Sequence, residues 1–320
     1  MRLLVTGAGG FVGRPLCREL AHRGYRVRAA MRTRGQLSAD GETVTVGDVD
    51  AATKWADALK GVDTVMHLAA RVHVMKDRSA DPLTEYLKVN LYGTSNLAQQ
   101  AASAGVKRLV YVSTVKVNGE TTGKVNGEQT SEERPYIESD VPDPQDPYAV
   151  SKLQAEEVLH SISVETGLEV VIVRPPLVYG PGVKGNFLSL MRAVDRGWPL
   201  PFGAIENRRS LIYLGNLVNA VQASLAVPPG TYLPSDRDDV STAALVRRVA
   251  SALGRPARLF PVPVWLLRAF AKAAGRSAAM DRLCGSLTVD GHLPDWRPPF
   301  TMTQALAATA EWYRGAGPRG

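Results

Sequence analysis

Thr6-Gly7-Ala8-Gly9-Gly10-Phe11-Val12-Gly13 is the stretch that decides the fold of this chain. Before it runs Arg2-Leu3-Leu4-Val5-Thr6, a short apolar segment that reads as a buried strand. After it, Phe11 and Val12 are continued by Leu16 and Leu20 at helical spacing. Glycines at 7, 10 and 13 permit a tight turn, a close backbone approach to a phosphate, and packing of the helix on its strand. The helix N-terminus offers free N–H groups and a positive dipole to an anion. Pro15 falls in the first helical turn, where no N–H partner is needed. A strand, this loop and a helix in succession read as a dinucleotide-binding unit rather than a plain turn.

Working outward, strands and helices alternate. Strands are expected at 2–6, 26–31, 44–46, 63–68, 108–113 and 169–173, and helices at 12–23, 52–58, 83–104 and 147–165. Such alternation implies right-handed β-α-β crossovers and an α/β class, a doubly wound parallel Rossmann sheet with helices on both faces. After Arg174-Pro175-Pro176 the pattern loosens, with Pro or Gly at 181, 182, 185, 197, 199, 201 and 203. The expected organisation is a dinucleotide-binding domain over 1–174, to which the chain returns near 210–226. A smaller mixed substrate domain is formed by 175–209 and 227–320, with helices at 241–253, 263–274 and 303–314. Between them, Val117-Asn-Gly-Glu-Thr-Thr is echoed by Val125-Asn-Gly-Glu-Gln-Thr, a small duplication or simply a polar loop.

Composition sets limits. The 320 residues are 45% hydrophobic, as expected of a globular core, and the net charge is +7. Arg and Lys are spread along the chain rather than clustered with stacking aromatics, so no nucleic-acid partner is expected. No apolar run reaches the ~18 residues of a transmembrane helix. Met1 leads straight into a strand, so no signal peptide is expected. Cys17 and Cys284 are too few for a disulfide framework, and the five histidines are scattered, so neither disulfides nor metal catalysis is expected. These points suggest a cytoplasmic location. Val264-Trp-Leu-Leu-Arg-Ala-Phe-Ala-Lys-Ala-Ala274 has the composition of a membrane-surface helix. It is read here as a packed helix of the substrate domain.

Tyr148-Ala149-Val150-Ser151-Lys152 carries the chemistry. Asp146-Pro147 precedes apolar positions at helical spacing, so Tyr148 and Lys152 share one helix face at i and i+4. A nearby ammonium lowers a phenol's pKa from its usual ~10 and brings a general acid/base nearer neutrality. Arg108-Leu-Val-Tyr-Val112 reads as a buried strand ending at Ser113-Thr114, and ligand sites of parallel sheets lie at such C-terminal ends.

This combination resembles the extended short-chain dehydrogenase/reductase family, in its nucleotide-sugar epimerase/dehydratase/reductase branch. The resemblance covers most of the chain. It is clearest at the glycine loop, at Val112-Ser113-Thr114, at Tyr148 to Lys152, at Arg174-Pro-Pro-Leu-Val-Tyr-Gly-Pro181 and at Arg209-Ser-Leu-Ile-Tyr213. It implies that Thr114, followed five residues later by Gly119, is catalytic together with Tyr148 and Lys152, with Ser113 nearer the nicotinamide. Where the family often has Val-Tyr-Gly, this chain has Val117-Asn118-Gly119, a change expected to reshape the sugar pocket. The resemblance implies that Gly7, Gly10, Phe11, Val12 and Gly13 meet the pyrophosphate, Asp48 and Val49 the adenine, and Leu68, Ala69 and Ala70 the inner ribose. Asn90, Pro175 and Leu177 are further cofactor candidates.

Cofactor choice is read at the end of the second strand. NAD sites place an acidic side chain there, whereas an Arg accommodates a 2′-phosphate. Val27-Arg-Ala-Ala-Met-Arg32-Thr-Arg34 has no Asp or Glu, and Arg32 and Arg34 favour NADP(H), with NAD(H) also possible. For the substrate, the resemblance implies a UDP-sugar. Asn186 and Phe187 match a segment at the diphosphate. Pro201 and Phe202 match one at the base, and Arg209 a diphosphate partner whose planar guanidinium suits a bidentate phosphate bond. Arg282 is a weaker phosphate candidate, and Lys116 a further substrate contact. Dehydratases of the family carry Asp-Glu directly after the catalytic Thr, where this chain has Val115-Lys116, so dehydration is not expected. The leading expectation is reduction of the 4-keto group of a UDP-4-keto-6-deoxy-hexosamine in surface-polysaccharide synthesis, and the alternative is a UDP-sugar 4-epimerase. A non-catalytic NADP-binding redox sensor is the third reading, weakened by retention of Thr114, Tyr148 and Lys152. By analogy, helices 83–104 and 147–165 form the bundle of a homodimer.

Overall fold

The computed structural model describes residues 1–33, 41–72, 81–125, 128–129, 134–275 and 277–315. The chain opens β1 (Arg2–Thr6), α1 (Gly13–His22), β2 (Arg26–Met31), β3 (Glu42–Thr45), α2 (Ala56–Leu59), β4 (Thr64–His67). There follow α3 (Pro82–Leu87), a wider π-type turn (Lys88–Gly93), α4 (Thr94–Ser103) and β5 (Arg108–Val112). A two-stranded hairpin, β6 (Lys124–Val125) and β7 (Glu128–Gln129), leads to α5 (Pro147–Thr166) and β8 (Glu169–Val173). The remainder is β9 (Leu177–Tyr179), α6 (Gly185–Asp195), β10 (Leu211–Tyr213), α7 (Leu214–Ala223), β11 (Gly230–Tyr232), α8 (Thr242–Leu253), α9 (Val264–Ala273), α10 (Ser277–Cys284) and α11 (Met302–Gly315).

Among the described residues, seven strands form one parallel sheet in the order β3-β2-β1-β4-β5-β8-β11. The order reverses between β1 and β4, which creates the crevice where doubly wound sheets bind ligands. The central strands are near-continuous apolar runs because both faces are covered. On one face Leu3, Val5, Met66, Val110 and Val171 pack with Leu16 and Leu20 of α1 and Leu217 and Val221 of α7. On the other, Leu4, Val65, Leu109 and Tyr111 pack with Leu97 of α4 and Leu159 of α5. A third cluster, including Tyr179, Phe187, Met191, Val246 and Leu306, holds α6, α8 and α11 together on the substrate side.

Local chemistry sets the helix that carries the tyrosine. Asp146 caps α5 by accepting from Ala149 N at 2.7 Å, and Pro147 occupies the first turn. Gly167, at φ +74°, ends it in the left-handed conformation.

Several expectations are adjusted. The 83–104 helix is interrupted by the π-type turn, which points Asn90 inward. Asn90 Oδ1 accepts from Arg71 N (2.8 Å) and its Nδ2 donates to Ser151 Oγ (2.9 Å). Single wide turns of this kind admit one extra residue and recur at functional sites. The 52–58 helix is shorter, because Thr53 Oγ1 donates to Asp48 O (2.7 Å) and holds an irregular turn before it. The chain returns to the dinucleotide-binding layer at 210–226 through α7, which packs on α1, and then also supplies β11 to the sheet edge. The expected helix at 263–274 is present as α9, yet only Leu267 and Ala271 are buried on it.

Candidate active site

The site assembles at the C-terminal ends of β1, β4 and β5. Gly7, at φ +64°, leaves β1 so close to β4 that a β-carbon on it would lie 2.8 Å from Ala69 N. A β-carbon on Gly13 would lie 2.1 Å from Gly7 O. Helix α1 therefore begins hard against the loop. Its N-cap, Val12, brings no side-chain hydrogen bond, and its first turn holds no acidic residue. A cradle closed to any side chain, facing an uncapped helix N-terminus, fits a pyrophosphate. Gly13→Ala must displace backbone. It is expected to lower stability by roughly 1–3 kcal/mol and to abolish copurification of bound nucleotide, as read by thermal melting and by absorbance of a denatured supernatant.

Beneath the loop lies a buried polar chain. Leu68 N and Ala69 N donate to Thr6 Oγ1 (3.2 and 3.1 Å), so the Thr6 hydroxyl hydrogen is directed to His67 Nδ1 at 2.6 Å. The other ring nitrogen of His67, Nε2, then donates to Thr94 Oγ1 at 2.9 Å. Burial, with Lys152 as a second cause, holds the His67 pKa down at about 3, so this ring is neutral. It ties the loops after β1 and β4, Leu68 and Ala69 included, to α4.

At the end of β5, Ser113 N donates to Val173 O (2.7 Å). The Ser113 hydroxyl donates to the buried Glu156 carboxylate. Thr114, half-buried, caps the short turn Val115–Val117, its Oγ1 accepting from Lys116 N at 3.3 Å. Val115 N donates to Pro175 O (3.0 Å), which holds the exit of β8 beside this turn, while Leu177 is exposed at the start of β9. Tyr148 is half-buried, its ring 5.9 Å from that of Tyr86. Lys152 is buried. Its Nζ donates to Val112 O (2.7 Å) and stands 3.9 Å from the Tyr111 ring centroid.

The electrostatics differ from the expectation that Lys152 lowers the Tyr148 pKa. Burial raises the phenol well above its usual value, with Asp146 and Tyr86 adding to the rise. Burial lowers Lys152 to about 7, and Glu156 opposes that fall. The ammonium is directed at the β5 end rather than at the phenol, so desolvation wins. The Glu156 charge is engaged by Arg174, whose Nη2 lies 2.5 Å from Oε2 in a buried pair. Arg174 Nη1 also donates to Asn118 Oδ1 at 3.0 Å. Asn118 is thus a buried partner of Arg174. Glu156, Arg174 and His67 escaped the sequence reading, although Glu156 continues the Tyr148–Lys152 spacing by one more turn.

On the adenine side, Arg32 Nε pairs with Asp48 Oδ1 at 3.1 Å, both side chains more than three-quarters exposed. Arg34 lies outside the described residues. Val49 packs against Gly93, where a β-carbon would come 2.8 Å from Val49 Cγ1. On the substrate side, Asn186 is exposed at the start of α6. Phe187 turns inward to stack on Tyr179 at 5.3 Å. Pro201 and Phe202 are half-buried, and the adjacent Gly203 N donates to Phe260 O (3.1 Å). Arg209 lies just before β10. Its Nη1 donates to Arg282 O (2.5 Å) and Gly285 O (3.0 Å). Arg282 Nη1 lies 3.5 Å from Glu120, Glu120 pairs with Lys116 (2.8 Å), and Lys116 reaches Asp146 at the cap of α5 (2.5 Å). This ionic chain joins the Thr114 turn, the helix of Tyr148 and the Arg209 segment. Among the described residues no cluster of His, Cys, Asp and Glu is placed to hold a metal, and no helix is long and apolar enough to cross a membrane.

Residues 3–232 match the family described as NAD dependent epimerase/dehydratase. A UDP-glucose 4-epimerase of Vibrio cholerae is 43% identical over 99% of this chain and 97% of its own length. The solved structure of MoeE5 in complex with UDP-glucose and NAD superposes with a TM-score of 0.75 at 27% identity, covering 99% of each chain. That of the Thermus thermophilus UDP-glucose 4-epimerase with NAD gives 0.74 at 25% identity, covering 99% of this chain and 100% of the other.

Proposed function

The chain belongs to the NAD dependent epimerase/dehydratase family, and from that premise we propose that it transfers hydride at C4 of a UDP-hexose, acting as a UDP-sugar 4-epimerase. The observation that carries this is the trio of Thr114, Tyr148 and Lys152 at the sheet's switch-point crevice, beside a glycine cradle fitted to a pyrophosphate. Similarity to a UDP-glucose 4-epimerase along the whole chain supports the same reading.

The glycine loop and α1 N-terminus would hold the cofactor's pyrophosphate, and Lys152 with Ser113 its nicotinamide end. When bound, the nicotinamide supplies a reversible hydride acceptor at the sugar's C4. Tyr148 exchanges the proton of the C4 oxygen. Thr114, one residue beyond β5, hydrogen-bonds the same oxygen and fixes its position. The phenolate form of Tyr148 accepts the C4 hydroxyl proton and the resulting phenol returns it, so the phenol, which burial holds protonated in the free fold, must ionise before the first transfer. Arg209 and Arg282 face the diphosphate, and Phe202 the base. Helices α4 and α5 are offered as the face of a homodimer, residues 175–209 and 227–320 outside β11 as the substrate side, and the cytoplasm as the compartment.

A second reading, an NADPH-dependent reductase of a UDP-4-keto-6-deoxy-hexosamine, is favoured by the end of β2, where 26–33 hold no carboxylate and Arg32 stands instead. The Arg32–Asp48 pair bears on this choice, because it occupies the guanidinium that a 2′-phosphate would need. An exposed pair of this kind is worth only ~0–1 kcal/mol. Arg32→Ala is therefore expected to leave NAD retention within about threefold of wild type. If Arg32 reads a 2′-phosphate, the same change weakens NADPH by about 1.5–3 kcal/mol while sparing NADH, and titration calorimetry with both nucleotides separates the cases.

A further inference from the structure

Helix α9 has two apolar sides, and the fold covers only one. Leu267 and Ala271, four residues apart, are its buried positions. The opposite side is built by Trp265, Ala269 and Ala273 at i, i+4 and i+8, with Leu266 and Phe270 beside them at i and i+4. Trp265 is 70% exposed and Phe270 67%. A helix lying on a globular core carries polar residues on that side. Arg268 and Lys272, again four apart, form the edge between the two sides, and no acidic residue occurs in the helix.

The approach to α9 repeats the composition. Phe260 is exposed four residues before the helix. Residues 258–260 pair with the segment around Leu200: Leu200 N donates to Arg258 O (2.8 Å) and Phe260 N to Leu200 O (3.1 Å). That segment presents an exposed Trp198, with the Arg196 guanidinium 5.6 Å from its ring. Acidic groups of this region are Asp281 of α10, 3.5 Å from Arg268 and itself exposed, and Asp195, paired with Arg255 at 3.0 Å. Outward tryptophan and phenylalanine with a basic edge is the composition that seats a helix between acyl chains and anionic headgroups. A two-fold contact that paired α9 antiparallel with its copy would instead bring Arg268 and Lys272 of both chains onto one seam, where like charges repel.

We infer that the outer side of α9, led into by Phe260, docks the enzyme on an anionic phospholipid surface. Trp265 and Phe270 enter the acyl boundary, and Arg268 and Lys272 meet the phosphates. The enzyme then lies on the membrane without spanning it.

The test is cosedimentation of the intact protein with phosphatidylcholine vesicles, with and without phosphatidylglycerol. Wild type should pellet with the phosphatidylglycerol vesicles, remain in the supernatant with phosphatidylcholine alone, and be released by added salt. The double variant Trp265→Ser/Phe270→Ser should bind at least about tenfold more weakly. Arg268→Gln and Lys272→Gln should each cost about fivefold. Turnover in free solution should be unchanged in all of them, which reports the fold. Wild type remaining in the supernatant with both vesicle types overturns the inference, as does undiminished binding by the double variant. A change of assembly state on size exclusion in the double variant, without wild-type vesicle binding, would assign the face to a contact between copies and overturn it equally.

Discussion

Tyr148→Phe is expected to lower kcat by about 10²–10⁴-fold, the range for loss of a general acid/base group. The substitution keeps the ring against Tyr86 and removes the hydroxyl alone. Helix α5 should be untouched, since its cap rests on Asp146 and its end on Gly167. Bound nucleotide should therefore remain near the wild-type level, and KM should move far less than kcat, because the lost interaction belongs to the transition state. Steady-state kinetics with nucleotide content measured on the same preparation checks both parts. A variant retaining more than about half of wild-type turnover would remove Tyr148 from the chemistry.

Lys152→Met is expected to act on turnover and stability in opposite directions. Loss of the ammonium that serves the cofactor end should reduce kcat by at least about 10²-fold and release bound nucleotide. Stability follows from linkage. Lys152 binds its proton with a pKa of 10.5 in the unfolded chain and about 7 in the fold. Between those values the unfolded state binds more protons, so wild-type stability rises with pH, by up to about 1.4 kcal/mol per pH unit. The Met variant lacks this dependence. Its melting temperature relative to nucleotide-free wild type should be most favourable at pH 7 and below, and the advantage should fade as pH approaches 10.5. Parallel curves across that window would mean that Lys152 keeps an ordinary pKa in the fold.

The elements that repeat a period were legible in the sequence. β1 and β8 fall where the apolar runs place them, because a parallel strand covered on both faces is near-continuously apolar, whereas β2 carries the buried Arg28 within its run. The glycine loop was legible because Gly7 and Gly13 each answer a backbone contact that a β-carbon would violate. What escaped depends on pairings between distant segments. Glu156 and Arg174 are charged residues that read as surface until the fold buries them together. Asn118 looked like a pocket residue, yet its carboxamide belongs to that same pair. The i, i+4 spacing located Tyr148 and Lys152 on one helix but could not say where the ammonium points. The π-type turn at 88–93 is set by Asn90 reaching Arg71 and Ser151, contacts that no local pattern announces. Exposure of Trp265 and Phe270 escaped for the converse reason: an aromatic at helical spacing reads as core until the structure leaves it exposed.

The most direct test of the proposed activity is to denature the purified protein, quantify the nucleotide released, and incubate the native enzyme with UDP-glucose or UDP-N-acetylglucosamine in buffer without added cofactor. The account predicts near-stoichiometric NAD and formation of the C4-epimeric UDP-sugar with no net change at the reduced-nicotinamide absorbance. Little bound NAD, no epimer, and stoichiometric consumption of NADPH with a UDP-4-keto-6-deoxy-hexosamine would contradict it and establish the reductase in its place.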